Sequence, residues 1–291
     1  MLNHLAIVVQ YLLPKQAITI LAGKFAHFQG GSLTTIVINW FIKRYHVNMS
    51  EAAEPNASTY KTFNSFFTRP LKINARPMAQ TDFICPVDGA ISQFGVIEKD
   101  QIFQAKGHHY STAALLGGHG NSASAYENGH FACIYLSPKD YHRIHMPCDG
   151  RLLRMVYIPG TLFSVNPTTA QGVPGLFARN ERVVCEFESK HGKFVMVLVG
   201  ATIVGSMATA WHGVVNPPRS KNIRTWSYEN QDISLKQGDE MGRFLLGSTV
   251  VMLFQRNNIT FNESWSPTRL VKMGESMSET KGKTIPTHAN S

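Results

Sequence analysis

Gly247-Ser248-Thr249 interrupts an otherwise apolar run that extends from Met241 to Phe254. A hydroxyl at that point can act on its own chain. Gly247 lacks a Cβ and lets the peptide take the strained geometry that attack of the Ser248 oxygen on the preceding carbonyl requires. The same tripeptide also fits a strand with a bulge, where glycine marks a close approach of backbones. A serine hydroxyl is a weak nucleophile until a base takes its proton, and histidine is the usual base near neutral pH. Tyr141-His142-Arg143-Ile144-His145-Met146-Pro147 supplies two histidines, and Cys85-Pro86-Val87-Asp88-Gly89 supplies a carboxylate that can orient one of them. Asp88, His145 and Ser248 together look like a hydrolase triad, which is recognised by geometry rather than chain order. Leu246-Gly247-Ser248-Thr249 is not the Gly-x-Ser-x-Gly elbow of the large hydrolase class, which weakens that reading. His142 and His145 are three apart and cannot share a face of an extended chain. One therefore points toward Asp88 and Ser248, and the other toward a substrate pocket.

The elements that must position these residues change character along the chain. Over residues 1–50 the apolar positions recur at helical spacing: Ile18, Leu21, Ala22, Phe25 and Phe28 in one set, Leu33, Ile36, Val37, Trp40 and Phe41 in the next. Gln16, Thr19, Gly23, Lys24 and His27 lie opposite the first set. Pro14 and Gly30-Gly31 divide the region into three short helices. Glu51 through Thr68 reads as a further helix, with Tyr60, Phe63 and Phe67 on one side and Arg69-Pro70 as its end. Beyond that point short β-branched or aromatic segments alternate with turn residues: 83–97, 102–105, 130–136, 152–158, 182–188, 194–205, 214–215, and 244–254 as the strand that carries Ser248. Val195, Val197 and Val199 alternate with Met196 and Leu198, so both faces are apolar and the strand is central. Leu270-Val271-Lys272-Met273 reads as one last short strand. The fold class expected is α+β: N-terminal amphipathic helices, then a mostly antiparallel β core of sandwich or barrel type. The division expected is a helical region over 1–70, a β-rich core over 71–276 and a disordered tail over 277–291.

Composition narrows the partners. Hydrophobic residues at 43% and charged residues at 16% describe a folded chain. A net charge of +9 suits an anionic partner, either nucleic acid or an anionic membrane surface. The first 50 residues contain no acid but carry Lys15, Lys24, Lys43 and Arg44. This asymmetry favours the membrane, because each cation near an anionic leaflet contributes on the order of 1 kcal/mol. None of the predicted helices has the roughly 20 apolar residues a span needs, so the association expected is interfacial. No secretory signal is recognisable, which points to the cytoplasmic side. Cys85, Cys133, Cys148 and Cys185 form no CxxC pair and read as buried thiols, not as a metal or redox site. His108-His109-Tyr110 and Gly117-Gly118-His119-Gly120 read as a solvated polar connection, and no metal is expected there.

These motifs, in order, resemble the phosphatidylserine decarboxylases, membrane-associated pyruvoyl enzymes made as self-cleaving precursors. The resemblance runs over nearly the whole chain, through Phe63-Asn64-Ser65-Phe66-Phe67-Thr68-Arg69, Leu136-Ser137-Pro138-Lys139-Asp140, Gly160-Thr161-Leu162-Phe163-Ser164-Val165-Asn166, Phe177-Ala178-Arg179-Asn180-Glu181-Arg182 and Val199-Gly200-Ala201-Thr202-Ile203-Val204-Gly205-Ser206. Asp149 departs from the expected pattern, in a loop. The resemblance implies that Asp88, His145 and Ser248 act once, on the chain itself. Ser248 attacks the Gly247 carbonyl to give an ester, elimination follows across Cα–Cβ, and hydrolysis leaves a pyruvoyl group as the covalent cofactor. A β chain of residues 1–247 and an α chain of residues 248–291 result. The ketone can form a Schiff base with a substrate amine and accept the electrons left by departing CO2, the electron-sink role that pyridoxal phosphate plays elsewhere. His142 is left as the acid of that second reaction. The implied substrate is phosphatidylserine and the product phosphatidylethanolamine, formed in phospholipid biosynthesis at the cytoplasmic side of the cell membrane. Nucleic acid drops out as a partner, and a homo-oligomer stays open. The rival readings are a serine hydrolase of lipid esters and an uncleaved membrane-binding module.

Overall fold

The computed structural model describes residues 2–118, 120–203, 206–216, 219–246 and 248–279. Three helices open the chain: α1 (Leu2–Leu12), α2 (Lys15–His27) and α3 (Ser32–Tyr45). Pro14 precedes α2. Gly31, at φ 57°, turns the chain into α3, and His46 in the left-handed conformation ends it. Lys24 and His27 lie in the last turn of α2, and Lys43 and Arg44 in that of α3, where positive charge complements the helix dipole. No described helix is long and apolar enough to cross a membrane.

The side of α2 that meets the protein is the polar one, opposite the apolar set. Thr19 is 2% exposed and accepts a hydrogen bond from the Ile203 N–H at 3.1 Å, while Leu21 and Phe25 face outward at 66% and 51%. In α3, Ile38 is buried and Phe41 packs edge-on against Phe63, Phe66 and Phe67. Leu33, Ile36 and Trp40 stay exposed. The exposed apolar ridge of α2 and α3 is therefore left over after both helices have satisfied their packing.

Residues 51–68 do not form the single helix expected. Pro55 offers no N–H, and the Asn56 side chain caps the Ser58 N–H, so only a 3₁₀ turn at Ala57–Thr59 forms. The capping box of Thr62 and Ser65 then starts a second helix, α4 (Phe63–Phe67).

Among the described residues fifteen strands follow: β1 (Gly89–Val96), β2 (Gln101–Ala105), β3 (His108–Ser111), β4 (His130–Leu136), β5 (Arg143–His145), β6 (Gly150–Ile158), β7 (Arg182–Ser189), β8 (Gly192–Val199), β9 (Met207–Thr209), β10 (Gly213–Val214), β11 (Arg224–Ser227), β12 (Ser234–Leu235), β13 (Glu240–Phe244), β14 (Ser248–Phe254) and β15 (Leu270–Val271). A nine-stranded sheet runs β11-β6-β7-β8-β14-β4-β1-β15, with β12 also on β6, and a four-stranded sheet runs β10-β9-β13-β5. Every strand pair is antiparallel. The larger sheet ends at β11 and β15, so the α+β class holds with an open sheet and not a closed barrel. β8 and β14 are central and buried on both faces, as the alternation at 195–199 predicts: Val197, Val199, Val251 and Leu253 join one apolar cluster, Met196, Leu198, Val250 and Met252 the other.

Three further expectations change. The run 244–254 is not one strand: it is the end of β13 and the whole of β14, in two different sheets. His108 and His109 lie in the β2–β3 hairpin, where buried Tyr110 anchors them, rather than in a loop, and His119 lies outside the described residues. Met277 and Ser278 are buried, because Met277 N–H bonds the Phe83 carbonyl and Ser278 Oγ accepts from the Phe83 N–H, so ordered chain extends past 276. Residues 280–291 lie outside the described part. All four cysteines are free and buried, as their spacing predicts.

Candidate active site

Two crossings between the sheets run side by side. β4 leads through residues 137–142 into β5, and β13 leads through residues 245–247 into β14. β4 pairs with β14 and β5 pairs with β13. The histidine-bearing connection and the Gly247-Ser248 connection are thereby held against each other at both ends: Ser248 is opposite Leu136, and the Phe244 N–H bonds the His142 carbonyl at 3.0 Å. Asp88 enters at the same end, immediately before β1, whose Ala90 is opposite Tyr135 of β4. The His145 N–H bonds the Pro86 carbonyl at 2.9 Å, which ties the Asp88 segment to β5. Gly247 and the Ser248 side chain lie outside the described residues.

His142 is fully buried and packs against Phe67, with ring centroids 4.1 Å apart and the rings tilted by 41°. Its Nδ1–H donates to the Asp140 carbonyl at 2.8 Å. Burial pushes its pKa down to about 3, so the ring is neutral at working pH and carries its lone pair on Nε2. That atom is buried and has no hydrogen-bond partner among the described residues. Thr249 Oγ1 is also buried and has no partner among the described residues. Thr249 shares a face of β14 with Val251 and Leu253, in the apolar cluster that includes Phe67 and Leu246. An unsatisfied buried polar atom costs about 1–3 kcal/mol unless a ligand or water satisfies it.

His145 is oriented differently from the expectation that Asp88 would hold it. Its Nδ1–H donates to the Gly238 carbonyl at 2.7 Å, and its Nε2 accepts from the Tyr141 hydroxyl at 3.1 Å. Burial lowers its pKa, so it too is neutral, with Nε2 as the basic atom. The Asp88 carboxylate is instead held by Arg76, whose Nε is 2.9 Å from Oδ1 and whose second terminal nitrogen reaches Oδ2, and by the Met273 N–H at 2.9 Å. Arg76 continues to Glu51 at 2.7 Å. Arg76 lies in Asn74-Ala75-Arg76-Pro77, a stretch with no recognisable motif, and the Gly238 partner is a main-chain carbonyl. Neither carries a residue-type signal that a sequence reading could have found.

A family model described as phosphatidylserine decarboxylase matches residues 63–279, and a second, described as PSD, matches residues 5–46. The phosphatidylserine decarboxylase proenzyme of Dechloromonas aromatica is 67% identical over 277 residues, which cover 95% of this chain and 98% of that protein. The proenzyme of the same name from Albidiferax ferrireducens is 66% identical over the same shares, and that from Azoarcus sp. is 65% identical over 96% of this chain and 97% of its own length. With the matched region holding both sheet crossings and every residue of the site, this chain belongs to the phosphatidylserine decarboxylase family.

Proposed function

We propose that this protein decarboxylates phosphatidylserine to phosphatidylethanolamine, on a pyruvoyl group generated from Ser248 by cleavage of its own Gly247–Ser248 bond. The observation that carries this reading is the juxtaposition of the two sheet crossings, which keeps Asp88, His142 and His145 at the end of the strand that begins with Ser248. In the cleavage step His145 accepts the Ser248 hydroxyl proton at Nε2. Its Nδ1–H bond to Gly238 already selects that tautomer, and the Tyr141 hydroxyl must give up its place on Nε2. Asp88 contributes negative charge that favours the imidazolium formed. Ester formation, elimination and hydrolysis then release the new end of the α chain.

The residues present fit a pyruvoyl group at position 248, because the two unpartnered buried polar atoms, His142 Nε2 and Thr249 Oγ1, belong to the residues flanking that crossing. That group supplies a ketone that binds the substrate amine and takes up the electrons released with CO2. His142 starts neutral, so it first takes a proton at Nε2, for which the substrate ammonium is a chemical source, and then returns it to the carbon that has lost CO2. A buried imidazolium with a low pKa is a strong acid and gives up that proton readily.

Self-cleavage is checked by the intact mass of the purified protein. The expected result is two chains, residues 1–247 and 248–291, the second blocked to Edman sequencing and reactive toward a hydrazine. Because β14 lies between β8 and β4 in the middle of the sheet, the two chains should co-elute on gel filtration and separate only in denaturant. An active protein that stays intact at 32.4 kDa, or one whose Ser248 is labelled by a fluorophosphonate, would favour the hydrolase reading instead.

Residues 1–70 act in this proposal as the membrane-associating region, at the cytoplasmic face. Leu21, Phe25, Ile36 and Trp40 are each more than half exposed and stand within the first 50 residues, which carry four cations and no acid. The protein is expected to sediment with anionic vesicles and to desorb in part at high salt, since screening weakens the charge contribution and leaves apolar insertion. Changing these four residues to serine should reduce vesicle binding by about tenfold or more, since each large apolar side chain contributes on the order of 1.5–3 kcal/mol when fully buried. Unchanged binding in a folded variant would refute this role.

A further inference from the structure

Arg76 stands at the centre of a buried charge network that spans the cleavage point. Its Nε lies 2.9 Å from Asp88 Oδ1 and 3.2 Å from Oδ2, one terminal nitrogen reaches both Asp88 Oδ2 and Glu51, and the other donates to the Ala75 carbonyl at 2.8 Å. The Arg76 and Asp88 side chains are 6% and 9% exposed, so each charge depends on the other to offset its loss of water. Glu51 is anchored in turn: its second carboxylate oxygen takes Lys272 Nζ at 3.0 Å, and its main-chain carbonyl takes the Lys72 N–H at 2.9 Å. Glu51 and Asp88 are thereby balanced by Arg76 and Lys272. Lys272, and Met273 whose N–H bonds Asp88, follow residue 248 in the chain, so the network is a joint between the two segments that cleavage would separate.

The main chain leaves Asp88 little room. A Cβ on Gly89 would collide with the Tyr135 carbonyl of β4, so the chain after Asp88 lies directly against that strand. Before it, the Pro86 carbonyl is tied to the His145 N–H. What stays free is rotation of the Asp88 side chain, and a planar guanidinium that meets both carboxylate oxygens fixes its plane as well as its position. The His145 ring, bonded to Tyr141 and Gly238, is also acted on by the charges of Glu240, Arg143 and Asp88. Arg143 and Glu240 offset each other through a 2.8 Å pair, with Arg243 also on Glu240 at 2.6 Å, and Asp88 is offset by Arg76.

We propose that Arg76 is a positioning residue for self-cleavage: its fork holds the Asp88 carboxylate in one place beside the His145 segment, and its charge sets how strongly that carboxylate favours a protonated His145 ring. Glu51 holds the far side of the fork. This inference rests on the self-cleavage reading and extends it to a residue that acts only through Asp88. Charge fixes two signs. A cation near His145 disfavours the imidazolium, and a carboxylate favours it. Removing Arg76 therefore makes the ring easier to protonate, and removing the Asp88 charge makes it harder. His145 accepts a proton only when neutral, so the pH at which cleavage reaches half its maximal rate moves up in the first case and down in the second.

The test follows freshly translated full-length chain on a gel as it converts into 1–247 and 248–291 across a range of pH. Arg76→Gln is expected to cleave about 10²-fold more slowly, the scale of a small misplacement of a catalytic group, with its half-maximal pH raised. Arg76→Lys keeps the charge without the fork, so it should cleave faster than Arg76→Gln and hold the wild-type half-maximal pH. Asp88→Asn should also be slowed, with its half-maximal pH lowered. The double variant Arg76→Gln with Asp88→Asn is expected to cleave no more slowly than Asp88→Asn alone, because nothing remains for Arg76 to hold. That double variant leaves no unpaired charge at Asp88, so it decides the matter even where Arg76→Gln alone fails to fold. A wild-type rate in Arg76→Gln overturns the assignment, as does an unmoved half-maximal pH, or a double variant slower than Asp88→Asn alone, which is the pattern of a residue that serves only the fold. A wild-type chain that never cleaves removes instead the reading on which the proposal rests.

Discussion

His142→Ala is expected to cleave normally into 1–247 and 248–291 and then to release CO2 from phosphatidylserine about 10²–10⁴-fold more slowly than the wild type, the usual value of a positioned acid or base. Cleavage should survive because the His142 ring bonds the Asp140 carbonyl and packs against Phe67, whereas the groups assigned to the first reaction are held through Gly238, Tyr141, Arg76 and Met273. Decarboxylation should fail because Nε2 of this ring is a buried lone pair with no protein partner among the described residues. The same burial fixes a sign for stability. With the folded pKa pushed down to about 3 from an ordinary 6.5, the unfolded chain takes up the proton first as pH falls. The His142 contribution is then constant above about pH 7 and turns against the folded state as pH drops from 6.5 toward 3. Cleaved His142→Ala that decarboxylates at the wild-type rate would show that the acid lies elsewhere.

Ser248→Ala and His145→Ala are both expected to remain as single chains of residues 1–291, with no decarboxylation at all, because without the hydroxyl there is no ester and without a base the hydroxyl is a poor nucleophile. His145→Ala differs from Ser248→Ala in one respect. It leaves the Gly238 carbonyl and the Tyr141 hydroxyl without the ring that bridges them, so it should also lose stability by about 1–3 kcal/mol. Ser248→Ala should stay near wild-type stability, since β14 keeps both neighbours in the sheet. Denaturant titration of the two uncleaved variants separates the chemical loss from the structural one. A His145→Ala protein that matures at the wild-type rate would remove His145 from the self-cleavage machinery.

What could be read from the sequence alone was local. Pro14 cannot continue a helix begun before it and Gly30-Gly31 favours a break, so the division of the first 45 residues into α1, α2 and α3 followed from residue type. Alternation at 195–199 could mean only a strand apolar on both faces, and therefore a central one. The chemistry of Ser248, His142 and His145 was legible because hydroxyl and imidazole are side-chain properties. What the tertiary structure decided was which of these groups meet which others. Met241 to Phe254 reads as a single apolar run, yet β5 draws its first part into one sheet while β4 and β8 draw its second part into another. Only those distant strands distinguish the two halves. Asp88 and His145 each also have one remote partner: Met273 lies 185 residues from Asp88 and Gly238 lies 93 from His145, and in both the partner atom belongs to the main chain. Main-chain atoms are the same in every residue but proline and leave no mark on composition. α2 shows the same limit in packing. Periodicity located an apolar and a polar face, but the hydrogen bond from Ile203 to Thr19 turned the polar face inward and left Leu21 and Phe25 to the outside. Amphipathicity records how a helix divides its side chains, and the solvent on the far side, water or lipid, sets which half is buried in protein.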